Sequence, residues 1–313
     1  MSPSGRKFLR DLWCGLLAVA LALLLMGCQA NITAGDQGFE SQPIAEFGQH
    51  DDHDHSSNHP DEIQVLLANS HFVVGESRVA FGIIQNGRSV KGVRMNARFF
   101  NLNSSPRLTD EGEATYYGEN LGGAGIYALR TAFDQAGRWG VEAIVWMEGA
   151  EPQTVRIGFE VLAKDPTPAI GTLAPLTHSK TLKKSGNDRE EICSAVDDDR
   201  AFHELSIAEA VSNGKPTVIL FATPGFCTTR TCGPSLEVVQ ALQAKYEMQA
   251  NFIHVEIYED FQTFQVAEAV QEWRLTTEPW VFFIDREGKI AEKIEGGITL
   301  AEVEPLLRKV FDN

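Results

Sequence analysis

Two thiols stand five positions apart in the stretch FATPGFCTTRTCGPS, residues 221–235: Cys227 and Cys232. A sulfur pair at this spacing supports three chemistries. One thiolate can attack a substrate disulfide while the other resolves the mixed disulfide. Two thiolates can hold a soft ion such as Cu(I). Oxidised and idle, the pair closes a short loop and contributes only modest chain-entropy stabilisation. The neighbours place the pair. Thr217 to Phe221 is an apolar run of strand length, and Leu236, Val239 and Leu242 recur at helical spacing after Pro234, which predicts a helix over 234–248. The thiols therefore sit where a strand gives way to a helix, and the unpaired N–H groups and dipole of a helix start favour a sulfur anion.

The other cysteines are sorted by the N-terminus. Arg6, Lys7 and Arg10 form a basic region, and Leu12 to Met26 an apolar run too short to span a bilayer comfortably. The run ends in Leu25-Met26-Gly27-Cys28, which resembles the lipobox of bacterial lipoproteins. That resemblance implies a signal peptide over 1–28, cleavage before Cys28, lipidation of its sulfur, and a chain held on the outer side of the cytoplasmic membrane. The alternative is an uncleaved signal anchor. Cys14 would be removed, leaving Cys193, Cys227 and Cys232 in a compartment that permits disulfides. Cys193 lies among acids in EEICSAVDDD. Carboxylates raise a thiol's pKa, so a slow nucleophile is expected there.

The formal net charge of −16 argues against phosphate-backbone binding, and no basic patch opposes it, so no nucleic-acid partner is expected. Residues 29–61 are rich in Gly, Gln, Ser, Asp and His and read as a disordered tether. They include HDDHDHSSNHPD, where His50, His53, His55 and His59 cluster with aspartates. This composition suits zinc or copper, but ordering a floppy tract opposes a tight site, and a solvated spacer is the preferred reading.

Over 62–164 the apolar period is two. Val93, Met95, Ala97 and Phe99 alternate with polar residues, as do Tyr127, Leu129, Thr131 and Phe133, and Val155, Ile157, Phe159 and Val161. Asn86-Gly87 between apolar runs marks a hairpin. These signals predict an all-β, Ig-like sandwich acting as a binding or spacer module. His71 stands alone in it and is read as structural or solvated.

Three prolines stiffen the linker, placed at 165–175. From 176 to 313 strands and helices alternate. Ser206 and Glu209 form a capping box, and Gly214 ends that helix. Strands are expected at 217–221, 252–257, 280–284 and 289–294, and further helices at 261–273 and from Thr299 through Val310.

This order, with cysteines between the first strand and its helix, resembles the thioredoxin fold. The segment TTEPWVFFIDREGKI resembles the one that carries that superfamily's cis-proline, which places Pro279 opposite the cysteines. The architecture resembles bacterial extracytoplasmic thioredoxin-domain lipoproteins with a β-sandwich in front. The resemblance implies a thiol-disulfide oxidoreductase without a cofactor, acting on a protein disulfide or redox partner, with Cys227, Cys232 and Pro279 at its centre. Two alignments remain open: Cys227 attacks and Cys232 resolves, or Cys232 attacks with Ser235 in place of the second cysteine. A Sco-like copper chaperone, with Cys227 and Cys232 as metal ligands, is the alternative, and a structural disulfide the third. Sco-type proteins add a downstream histidine, whereas His254 lies too early and reads as a buried strand residue. The buried acid of thioredoxins is replaced by Leu220. Glu256, at the end of the next strand, is a candidate substitute, with a solvated strand end as the preferred reading.

Overall fold

A computed structural model describes residues 62–196, 199–227 and 230–312. The targeting segment, Cys14, Cys28 and the His/Asp-rich tract lie outside the described residues.

The N-terminal half consists of β1 (Ile63–Leu67), β2 (Gly75–Gln85), β3 (Arg88–Ser89), β4 (Arg94–Asn101), β5 (Arg107–Glu113), β6 (Thr115–Glu119), β7 (Gly125–Phe133), β8 (Gly137–Trp146) and β9 (Gln153–Val161). They pair antiparallel in two sheets, β1-β2-β7-β6 with β3 on β2, and β5-β4-β8-β9. Alternation decides which face is buried: Met95, Ala97 and Phe99 of β4 turn inward while Arg94, Asn96 and Arg98 face out. The inward residues of both sheets share one core. Phe133 lies at its centre, its ring 4.8 Å from Trp139 and 5.5 Å from Phe159. Burying each such side chain contributes about 1.5–3 kcal/mol. At the β2–β3 hairpin Asn86 and Gly87 both take positive φ, 52° and 72°, as a two-residue turn matched to strand twist requires.

The C-terminal half runs α1 (Ile207–Val211), β10 (Thr217–Phe221), α2 (Cys232–Tyr246), β11 (Asn251–Val255), β12 (Tyr258–Asp260), β13 (Gln265–Val266), α3 (Glu268–Glu272), β14 (Trp280–Ile284), β15 (Ile290–Glu295) and α4 (Leu300–Asp312). The main sheet has the order β11-β10-β14-β15. Strand β11 is parallel to β10, β14 is antiparallel to β10, and β15 is antiparallel to β14. Strand β10 is buried throughout because helices cover both faces. Val218 and Leu220 join the layer under α2 and α4, while Ile219 and Phe221 join the layer with α1 and Trp273. The Ser206–Glu209 capping box is formed at α1.

The helix expected over 261–273 is restricted to Glu268–Glu272. Asp260 is the physical reason. Its carboxylate accepts the N–H groups of Gln262 and Thr263 at 2.8 and 2.7 Å and the Thr263 hydroxyl at 3.0 Å. Such local bonds compete with a helix. Phe264 then takes φ 55° and turns the chain into the β12–β13 hairpin.

The two halves pack together. Arg78 of β2 is held in a fork on Glu302 at 2.6 and 2.8 Å and donates to the carbonyls of Glu295 and Gly297. The Glu295 carboxylate accepts from Ser70 and from the His71 N–H. Asp165 receives both Lys293 at 2.7 Å and His71 at 3.2 Å, which pins the linker against β15. Near this junction the His71 ring meets the edge of Trp280 at 4.8 Å, so His71 serves the interface between the halves.

Candidate functional site

Cys227 and Cys232 are joined by a disulfide, with their Cα atoms 6.1 Å apart. Cys227 lies on the loop after β10 and is half-buried, whereas Cys232 opens α2 and is fully buried against its core. That asymmetry suits an outer sulfur that meets a partner and an inner one that does not.

The approach to α2 is fixed by short-range bonds. Ala222 donates to the Val255 carbonyl at 3.0 Å, and the Thr223 hydroxyl accepts the Ile257 N–H at 3.0 Å. The Thr223 N–H donates to the Glu278 carboxylate at 2.9 Å. The same carboxylate oxygen lies 3.3 Å from Cys232 Sγ. Glu278 directly precedes Pro279, and the peptide between them is cis. The Pro279 carbonyl accepts the Gly296 N–H at 2.9 Å. Gly296 has φ +88°, and a Cβ there would stand 2.3 Å from the Ala68 carbonyl oxygen. The proline segment is thus tied both to the inner sulfur and to the junction with the β-sheet half.

Burial pushes the Glu278 carboxyl up, the Thr223 N–H opposes this, and the charge of Glu256 adds to the rise; the result is about 7. A carboxyl poised there can hold or release a proton beside the sulfur near neutral pH. The sequence reading missed Glu278. Its only signal was its place, an acid at the entry to an apolar strand and immediately before the proline. Glu256 occupies a different position. It is buried rather than solvated, 5% exposed, because its Oε1 accepts the Ser194 N–H and hydroxyl at 2.7 and 2.8 Å. Its Oε2 has no hydrogen-bond partner among the described residues. Leu220 is fully buried and carries no proton chemistry.

The rim is apolar. Phe226, next to Cys227, is 41% exposed. It stacks on Phe261 at 5.6 Å and meets the edge of Phe264 at 5.4 Å. On the side of the β-sheet half, Gly122 backs so closely onto Pro234 of α2 that an added Cβ would lie 2.8 Å from Pro234 Cγ. Leu121 stands beside it, exposed.

A second polar group lies deeper. His254 of β11 places Nδ1 2.9 Å from Asp199 Oδ2 and Nε2 3.0 Å from the Ala222 carbonyl oxygen. Cys193 Sγ donates to the same Asp199 oxygen at 3.0 Å, and His203 Nε2 lies 3.0 Å from it. Arg189 Nε donates to Asp199 Oδ1 at 2.9 Å. Burial pushes the Cys193 thiol up, and the Asp199 charge adds to this while His254 opposes it. The acidic stretch around Cys193 is therefore the smaller influence. The structure brings Cys227, Cys232 and the Pro279 segment together, and places Cys193 and His254 in this other cluster.

Comparison with known proteins bears on the C-terminal half. The family model of a thioredoxin-like domain matches residues 204–311. No curated protein matches the chain. Among solved structures, a thioredoxin-like protein in its oxidised form is similar at 16% identity, covering 39% of this chain and 95% of its own, with a TM-score of 0.29. A Chlorobium tepidum protein assigned as the thiol:disulfide interchange protein DsbE is similar at 18% identity, covering 33% and 83%, with a TM-score of 0.28. The chain thus carries a thioredoxin-like α/β domain behind a strand-rich half of antiparallel sheets.

Proposed function

We propose that this protein is a thiol-disulfide oxidoreductase, anchored to the outer side of a bacterial cell membrane through lipid on Cys28 and acting on protein disulfides. The Glu278 carboxylate beside the buried sulfur of Cys232 is the observation that carries the reading. An idle staple has no use for a proton carrier at one of its sulfurs.

In the reducing direction, the Cys227 thiolate attacks one sulfur of a substrate disulfide. A Cys227–substrate disulfide forms, and the first substrate thiolate leaves and takes a proton from water. Cys232 then attacks Cys227 Sγ while Glu278 accepts the Cys232 proton. The second substrate thiolate leaves, so two electrons have passed from the pair to the substrate. In the oxidising direction the same carboxyl returns its proton to Cys232 as that sulfur departs. The aromatic rim at Phe226 suits substrates whose disulfides lie beside apolar side chains. A carboxylate is a hard ligand and suits Cu(I) poorly, so Glu278 favours proton transfer over copper handling.

Equilibration in glutathione redox buffers, with the thiols counted by mass tagging, tests the proposal. The expected result is a reversible two-electron couple within about −270 to −120 mV, the span of working redox pairs. A potential below about −300 mV would mark a structural staple and overturn it.

A further inference from the structure

We propose that Cys193, Asp199, His203 and His254 form a zinc site that locks the segment before α1 onto the sheet. The ligand atoms of these four buried side chains all lie within 4.8 Å of one another. They come from two distant parts of the chain, three from residues 193–203 and one from β11, so the fold has brought them together.

The chemistry of the set points to the ion. One thiolate, two imidazoles and one carboxylate are zinc's usual donors, and four protein ligands with no open position mark a structural site. The spacing fits as well. Bonds of about 2.0–2.1 Å to N and O and about 2.3 Å to S put tetrahedral ligand atoms about 3.3–3.6 Å apart. The contacts with Asp199 Oδ2 are 2.9, 3.0 and 3.0 Å, and Cys193 Sγ lies 3.7 Å from His254 Nδ1. For these four pairs, shifts of a few tenths of an ångström reach the tetrahedral spacing, and the separations of His203 from Cys193 and His254, at most 4.8 Å, close as Asp199 Oδ2 withdraws from the centre. A central ion also replaces the three donors that otherwise crowd onto one carboxylate oxygen.

The surroundings complete the site. A metal-bound histidine usually donates its second N–H to a carbonyl, and ligating carboxylates are themselves hydrogen-bonded. His254 Nε2 faces the Ala222 carbonyl, and Arg189 holds Asp199 Oδ1. A cleft of about 550 Å³ reaches His203 and His254 between Glu256, Glu259, Glu268 and Glu272. These acids would draw a divalent cation inward. Zinc and the two anionic ligands sum to zero charge, and binding releases the Cys193 thiol proton and the Nδ1 proton that His254 otherwise donates to Asp199. Because Ala222 leads into the Cys227 loop, and Ser194 Oγ accepts the Gly225 N–H at 3.0 Å, the ion would also steady that loop.

Co(II) titration of the full chain tests the proposal, in a background where the competing ligands are removed: Cys14, Cys28, Cys227 and Cys232→Ser, and His50, His53, His55 and His59→Ser. The expected result is binding of one ion, with tetrahedral d–d absorption and a thiolate-to-cobalt charge-transfer band that Zn(II) abolishes. Cys193→Ser should remove the charge-transfer band, and His203→Asn should weaken binding by more than about 100-fold, beyond the usual effect of an outer-shell change. A folded background protein without that band, or one whose band survives Cys193→Ser, overturns the site. If these last variants fail to fold, the background protein still decides: added Zn(II) must raise its melting temperature through preferential binding to the folded state, and no rise overturns the site.

Discussion

Replacing Glu278 by Gln isolates the carboxyl that the proposed mechanism depends on. Gln keeps the shape and can still accept the Thr223 N–H, but it cannot ionise. The folded protein carries the Glu278 carboxyl from its ordinary 4.5 to about 7. At about 1.4 kcal/mol per pH unit, ionising it inside the fold costs up to about 3 kcal/mol. The sign follows from proton binding. Between those two values the folded state keeps a proton that the unfolded state has released, so stability falls as pH rises. The loss is absent below the lower value and complete above the upper one. Glu278→Gln should therefore match the wild type near about pH 4 and exceed its stability by up to about 3 kcal/mol near about pH 8. Urea unfolding of both oxidised proteins at the two pH values measures this. An identical stability difference at both would show that Glu278 is not a half-buried, proton-holding carboxyl, and the reasoning would fail.

Thiol exchange by the wild type should rise through about pH 7 as Glu278 becomes a base, and stopped-flow rates of the Gln variant should lack that limb. Arg78→Ala leaves the largely covered Glu302 carboxylate, 10% exposed, without its partner and should cost up to about 3 kcal/mol, read as earlier unfolding in urea and faster proteolysis at the 165–175 linker. Mass spectrometry of the mature protein should find lipid on Cys28, and an intact Met1 on membrane-bound protein would exclude the anchor.

The parts of the fold written in local periodicity were legible. Alternation in β4, β7 and β9 announced the strands, and Ser206 with Glu209 announced α1. The helix expected over 261–273 was misplaced because Asp260 folds the chain onto itself by side-chain bonds that an apolar pattern does not record. The site was half legible. Cys227 and Cys232 carry a spacing, and Pro279 carries a segment resemblance. Glu278 carries neither, since its role depends on a sheet that returns β14 beside β10 about sixty residues further along the chain. The same holds for Arg78, whose partner Glu302 is 224 positions away. The stretch read as a stiff linker is also anchored, by Asp165 on Lys293 and His71, an arrangement that three prolines do not reveal.

Trapping with the two single cysteine variants tests the redox reading most directly. With an outer attacking sulfur and a buried resolving one, Cys232→Ser should accumulate mixed disulfides with substrate proteins, visible on non-reducing gels and reversed by dithiothreitol, whereas Cys227→Ser should trap none. Trapping by Cys227→Ser alone would assign the attack to Cys232, and trapping by neither would contradict the oxidoreductase itself.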